Sequence, residues 1–227
     1  MFFPEINLQS SLKPTHAPPP GLDLIYRDAS LIVVNKPAGL LAVPGRGADK
    51  QDCVASRVQA EFPDALVVHR LDMATSGLLL FARGAEMQRL LSRRFRERAV
   101  QKRYVAVVAG SLKSPTGEID LPLIADWPNR PRQKVDHESG KPSLTRYRIL
   151  AHDAATDTTR VELEPVTGRT HQLRVHLAAI GHPILGDALY GEKNGDSAER
   201  LLLHASMLCF IHPLGGEPLS LASDPPF

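Results

Sequence analysis

Asp72 stands in the run His69-Arg70-Leu71-Asp72-Met73-Ala74-Thr75-Ser76-Gly77, between one apolar stretch at 65–68 and a second at 77–82. A carboxylate at such a strand–loop–strand junction is held by a rigid sheet and offered to a cleft, where it can serve as nucleophile or base. The same position also suits an aspartate that only closes its own turn. Other chemistries are poorly served nearby. A phosphatase with a nucleophilic aspartate wants a second acid two residues on, where Ala74 stands, and Ser76 lacks the Gly-x-Ser-x-Gly elbow. His171 and His176 are five apart, which fits neither the i, i+4 face of a zinc helix nor a His-Glu-x-x-His motif, so they read as structural or ligand-facing. Gly45-Arg46-Gly47 and Gly215-Gly216 lack the Walker lysine and the third Rossmann glycine. No metal and no cofactor is expected.

The elements that must position Asp72 follow from periodicity. Leu31-Ile32-Val33-Val34 is a β-branched run stopped by Asn35-Lys36-Pro37. Val54, Val58 and Phe62 recur at helical spacing and predict a helix over 49–62, ended by Pro63. Met87, Leu90, Leu91 and Phe95 predict a second helix over 85–98. Tyr104 falls near the start of a strand over 104–109, and 144–150 and 159–163 alternate as half-buried strands do. Thr170 is expected to cap a helix that turns Leu173, Leu177 and Ile180 inward and closes at Gly181, and 208–211 reads as a late strand. Helices and strands mix without βαβ alternation, which predicts an α+β fold with a central, largely antiparallel mixed sheet, flanking helices and a cleft.

The 227 residues suit one domain over 21–227 behind a flexible proline-containing tail, 1–20. A hydrophobic share of 43% and a charged share of 23% are those of a globular chain. Cys53 and Cys209 form no CxxC pair, no apolar run is long enough to span a membrane, and the first residues lack the basic-then-apolar order of a signal peptide. A cytoplasmic protein is expected. Its net charge of +2 hides two basic segments: 83–103 carries eight basic residues against two acidic ones, and 127–148 six against two. Such segments are either solvated faces or a footprint for a polyanion.

Five motifs in fixed order decide between these readings. The run from His69 to Gly77 closely resembles the signature of the RluA-type family of pseudouridine synthases, whose aspartate is catalytic. The stretch VVNKPAGLLAVPG (33–45) resembles that family's N-terminal motif, KRYVAVVAG (102–110) its second, GRTHQLRVHLAAIGHPILGDALYG (168–191) its third and LLLHA (201–205) its closing one. The likeness runs from about Leu24 to the C-terminus. The S4 RNA-binding domain of many relatives is expected to be absent, and the compact form with 126–142 is associated with position 32 of the tRNA anticodon loop and position 746 of 23S rRNA.

The resemblance implies an isomerase that breaks the N1–C1′ bond of a uridine, turns the base and rejoins it through C5, with Asp72 as the essential carboxylate. Attack on C1′, addition to the base and removal of a sugar proton all stay open to it. A carboxylate working under a shield of RNA needs a neighbouring cation to remain charged. By resemblance that cation is Arg169, and Tyr104 is the active-site tyrosine that stacks on uracil and assists proton removal. The uridine must be flipped out of its loop, and Arg70 is placed to fill the vacated stack. Arg89, Arg93, Arg94 and Arg96, with Arg130, Arg132 and Lys134, are expected to hold phosphates. The implied partners are stem-loops of tRNA and 23S rRNA, met by a monomer, with no membrane or DNA. A non-catalytic RNA-binding module is the alternative, and a glycosylase or phosphatase the third.

Overall fold

Apolar runs bounded by turn residues organise the chain as a sheet. The computed structural model describes residues 22–191 and 198–227, so the tail at 1–20 lies outside the described residues. Its strands, in chain order, are β1 (Leu24–Arg27), β2 (Leu31–Lys36), β3 (Ala65–Val67), β4 (Ser76–Arg83), β5 (Gln101–Ala109), β6 (Thr116–Asp120), β7 (Leu123–Ala125), β8 (Gln133–Val135), β9 (Leu144–Asp153), β10 (Thr158–Pro165), β11 (Leu203–Ile211) and β12 (Pro218–Ala222). Three α-helices join them: α1 (Val54–Glu61), α2 (Ala85–Arg96) and α3 (Gln172–Ala179). Ten strands form one sheet with the path β1-β2-β4-β11-β5-β10-β9-β6; β3 adds to β4, β12 adds to β11, and β7–β8 stand apart as a hairpin. This is the expected α+β fold with a largely antiparallel mixed sheet; the parallel contact is β4 with β11.

Burial explains the strand sequences. β4 is buried on both faces, so GLLLFA is continuously apolar rather than alternating. One face packs Leu79 and Phe81 with Val54, Val58 and Phe62 around α1. The other packs Leu78 and Leu80 with Met87 and Leu91 of α2. In β10 the alternation is regular: Thr159, Val161, Leu163 and Pro165 are buried and the residues between them half-buried. Val161 and Leu163 lie with Ala106 and Val108 against Leu173 and Leu177 of α3. Each core segment removes apolar side chains from water at about 25 cal/mol per Å², which outweighs modest helix propensity.

The two halves meet at β4 and β11. Gly77 takes φ +110°, and a Cβ there would lie 2.3 Å from the Ala205 carbonyl oxygen. Only glycine permits this approach, directly after the Asp72 loop. Two helix starts differ from expectation. α1 begins at Val54, because Cys53 and Ser56 cap it reciprocally after a separate turn at Ala48–Lys50. α3 begins at Gln172, not behind a Thr170 cap: His171 sits at the cap with φ 55° and no side-chain cap bond. The Gln172 amide oxygen accepts from Arg169 N–H and Thr167 Oγ1 instead, at 3.0 and 2.7 Å. The helix therefore turns Leu173 and Leu177 inward and leaves Ile180 exposed.

Candidate active site

The Asp72 loop is pinned from below. His69 Nε2 accepts Leu80 N–H at 3.0 Å, and its ring stacks on Phe95 at 4.4 Å and 19°. Burial pushes the His69 pKa down to about 3, so the ring stays a neutral acceptor. Lys36, with no exposed surface, donates to the carbonyls of Pro37, Leu40 and Met73 at 2.8, 2.7 and 2.9 Å. It sews the turn after β2 onto the residue following Asp72. Burial pushes its pKa down to about 8, with the nearby Asp72 charge acting the other way. Gly39 N–H adds a bond to Met73 O at 2.9 Å, and Thr75 N–H one to Asp72 O at 3.1 Å.

The carboxylate itself meets a charged floor. Asp72 Oδ2 lies 3.3 Å from Arg174 Nη1 and 3.8 Å from His171 Nε2. Arg174 also forks onto Asp187 with two bonds of 2.7 Å, and the Asp187 side chain is wholly enclosed. Burial alone would raise the Asp187 carboxyl, but the Arg174 fork and the N–H groups of Leu189 and Tyr190 hold it below the ordinary value. Arg174 is thus a fixed cation with two carboxylate partners. Tyr104, on β5, faces the same space; burial and then the Asp72 charge push its phenol well above the ordinary value, so it stays protonated.

Asp72, Tyr104, His171 and Arg174 line a cleft of about 910 Å³ together with Arg70, Arg96, Arg98, Lys102, Pro131 and Arg169. The structure places Asp72, Tyr104 and Arg70 in one cleft, Arg70 exposed at its rim. The cation on Asp72, however, is Arg174 and not Arg169. The left-handed turn at His171 leaves Arg169 outside α3, exposed, with Nε donating to Pro142 O at 3.4 Å. Arg174, the third residue of the helix, points down at Asp72. An arginine between Leu173 and Val175, in a helix whose remaining polar residues are Gln172 and His176, was the available signal.

The basic segments divide similarly. Arg96 lines the cleft with Arg98 and Lys102, two residues that sequence reasoning had counted only as charge. Arg89 is exposed, Arg93 faces Glu97 at 3.9 Å, and Arg94 donates to the Ile211 carbonyl at the end of β11. Along the β7–β8 hairpin, Arg130 lies over the ring of the exposed Trp127 at 3.3 Å, Arg132 over Tyr190 at 5.4 Å, and Lys134 of β8 pairs with Asp136 at 3.4 Å. Among the described residues no group of three or more His, Cys, Asp or Glu is arranged to hold a metal ion, and no helix is long and apolar enough to cross a membrane.

A sequence profile described as RNA pseudouridylate synthase matches residues 30–179, which hold Asp72, Tyr104 and Arg174. The chain belongs to the RNA pseudouridylate synthase family. It is therefore an isomerase that converts uridine in RNA to pseudouridine. Among its relatives is the dual-specificity RNA pseudouridine synthase RluA of Yersinia pestis, 51% identical over 205 residues, covering 90% of this chain and 99% of that one. The protein of the same name from Escherichia coli strain K12 is 50% identical over 209 residues, covering 92% and 95%. Of solved structures, human RNA Pseudouridylate Synthase Domain Containing 1 superposes with a TM-score of 0.76 at 32% identity, covering 95% of this chain and 87% of that one. Human RNA Pseudouridylate Synthase Domain Containing 4 gives 0.73 at 25%, covering 90% and 88%.

Proposed function

We propose that Asp72 carries the isomerisation, and that the substrates are uridines in stem-loops of tRNA and 23S rRNA, at position 32 of the anticodon loop and position 746. The single observation behind the assignment of roles is the carboxylate of Asp72 at 3.3 Å from a guanidinium that is itself locked onto a buried partner. Breaking the N1–C1′ bond develops positive character at the sugar, and a carboxylate is the group that meets it. Once RNA covers the cleft and excludes water, such a charge needs a counter-charge already in place. Arg174 supplies it without rearrangement.

Tyr104, kept protonated by burial and by Asp72, acts as a stacking surface for uracil and as a hydroxyl that hands a proton on, not as a standing phenolate base. Arg70, exposed beside Asp72, fills the gap left by the flipped nucleotide. Arg96, Arg98 and Lys102 on one wall and the β7–β8 hairpin on the other hold phosphates of the stem. Arg169 at the rim belongs with these contacts. The name shared by the relatives, dual-specificity RluA, supports two RNA classes. The same reading takes the protein to be a cytoplasmic monomer acting on RNA and not DNA, which light scattering, cell fractionation and a DNA oligonucleotide control check.

The test is a map of pseudouridines in tRNA and rRNA from cells with and without this protein. Loss at the two named loops is the expected result, and loss elsewhere would reject the substrate assignment. Free uracil or phosphate from purified protein and transcripts would point to hydrolysis instead.

A further inference from the structure

Five residues close a ring under the cleft. Asp72 meets Arg174 at 3.3 Å, and Arg174 meets Asp187 at 2.7 Å. Asp187 Oδ1 accepts the backbone N–H of Tyr190 at 3.1 Å, Tyr190 Oη lies 2.7 Å from His171 Nδ1, and His171 Nε2 faces Asp72 Oδ2 at 3.8 Å. The Tyr190 ring is approached by two guanidiniums, Arg132 at 5.4 Å and Arg174 at 5.1 Å, and meets the imidazole edge-on at 77°. His171 holds φ 55°, a backbone conformation that side chains other than glycine seldom adopt and that persists where surrounding contacts impose it.

Tyr190 Oη accepts the backbone N–H of Gln133, from β8, at 2.7 Å, and the arrangement that leaves no proton without a partner has it donate its own to His171 Nδ1. Burial lowers the His171 pKa, and the ring is neutral. A neutral imidazole that accepts at Nδ1 carries its proton on Nε2, the atom turned to Asp72. The partner of the far ring nitrogen thus fixes what the near one offers.

We propose that Tyr190 and His171 are positioning residues for Asp72: the Tyr190 hydroxyl, seated on the β7–β8 hairpin, fixes the His171 proton on Nε2, and that N–H, 3.8 Å from Oδ2 and so acting as an oriented dipole and not through a hydrogen bond, aims the carboxylate into the cleft. The hairpin carries Trp127, Arg130 and Arg132, so RNA pressed against it bears on Tyr190 and, through the imidazole, on the orientation of Asp72. The inference rests on Asp72 being the reacting carboxylate.

Steady-state release of tritium from C5-labelled uridine, with tRNA and 23S rRNA hairpin transcripts as substrates, gives kcat and KM separately for wild type, Tyr190→Phe, His171→Ala, the double variant and His171→Gln. The expected result is a fall in kcat of about tenfold for either single variant with KM little changed, as loss of an orienting partner produces. The double variant should be no worse than His171→Ala, because both remove one relay. His171→Gln, which keeps a side-chain group able to bond Tyr190, should recover part of the loss. Full activity in Tyr190→Phe, a loss confined to KM, or multiplied losses in the double variant would each overturn the relay while leaving Asp72 untouched. If Tyr190→Phe does not fold, as its melting curve shows, the kcat of His171→Ala against His171→Gln decides alone: equal values overturn the proposal. An inactive wild type would instead overturn the reading of Asp72 on which this rests.

Discussion

Replacing Arg174 by methionine separates what this guanidinium does for the fold from what it does for the reaction. The side chain is 6% exposed and its partner Asp187 is wholly enclosed, so the variant leaves a buried carboxylate without its cation. Breaking such a pair costs about 3–5 kcal/mol, against about 1 kcal/mol or less for an exposed one such as Arg146–Glu118. Unfolding releases about 2.1 cal/mol/K per residue, so a chain of 227 residues loses about 6–10 °C in Tm for that cost. Adding Asp187→Asn removes the stranded charge while its Oδ1 still accepts Leu189 and Tyr190 N–H, at 2.9 and 3.1 Å in the native chain. The double variant should therefore regain most of the lost Tm. It should not regain turnover, because Asp72 still lacks its neighbour at 3.3 Å. Scanning calorimetry and tritium release on the same preparations give both numbers. A single variant that melts within about 2 °C of wild type, or a double variant that recovers turnover with Tm, would refute the two roles assigned to Arg174.

Three further outcomes follow from the same geometry. Arg96→Ala with Arg98→Ala should weaken RNA binding and reduce the slope of log K against log salt by about 0.7–0.9 per lost phosphate contact, whereas Arg94→Ala should leave that slope unchanged; fluorescence anisotropy over a salt series checks both. His69, His176 and His204 all have pKa values lowered chiefly by burial, so the unfolded chain binds more protons than the native one below about pH 6.5. Their contribution is intact above that pH and is lost as pH falls, at up to about 1.4 kcal/mol per unit for each ring, and the urea midpoint should drop between pH 7 and pH 5. Lys36→Met strands three carbonyls that now share one ammonium, costs about 1–3 kcal/mol, and should lower kcat through the loosened Met73 loop; equal kcat would dissociate that loop from catalysis.

Much of this was legible in the residues, and the exceptions have physical causes. β9 and β10 announced themselves by alternation, and β4 by a continuous apolar run, because burial on one or two faces writes directly into side-chain type. The short segments β1, β6, β7, β8 and β12 were missed. Their three to five residues are too few for a period, and sequences such as TGEID and QKV carry no apolar alternation. In the cleft, Asp72, Tyr104 and Arg70 were found by motif. Arg169 was carried over by resemblance, and a Thr170 cap would have held it at the helix entry; the left-handed His171 moves that entry one residue on, and it is Arg174, inside the helix, that meets Asp72. Asp187 and Tyr190 lie in a turn after α3, where no spacing rule reports that a side chain reaches back to the cleft floor. Likewise, nothing in a basic helix distinguishes Arg96, facing the cleft, from Arg94, bonded to a carbonyl of β11.

The most direct test of Asp72 is single-turnover tritium release with Asp72→Asn, whose amide fills nearly the same volume beside Arg174 but carries no charge. Wild type should convert its hairpin substrates, and the variant should bind the same transcripts and release no tritium. Release by Asp72→Asn at the wild-type rate would contradict the account.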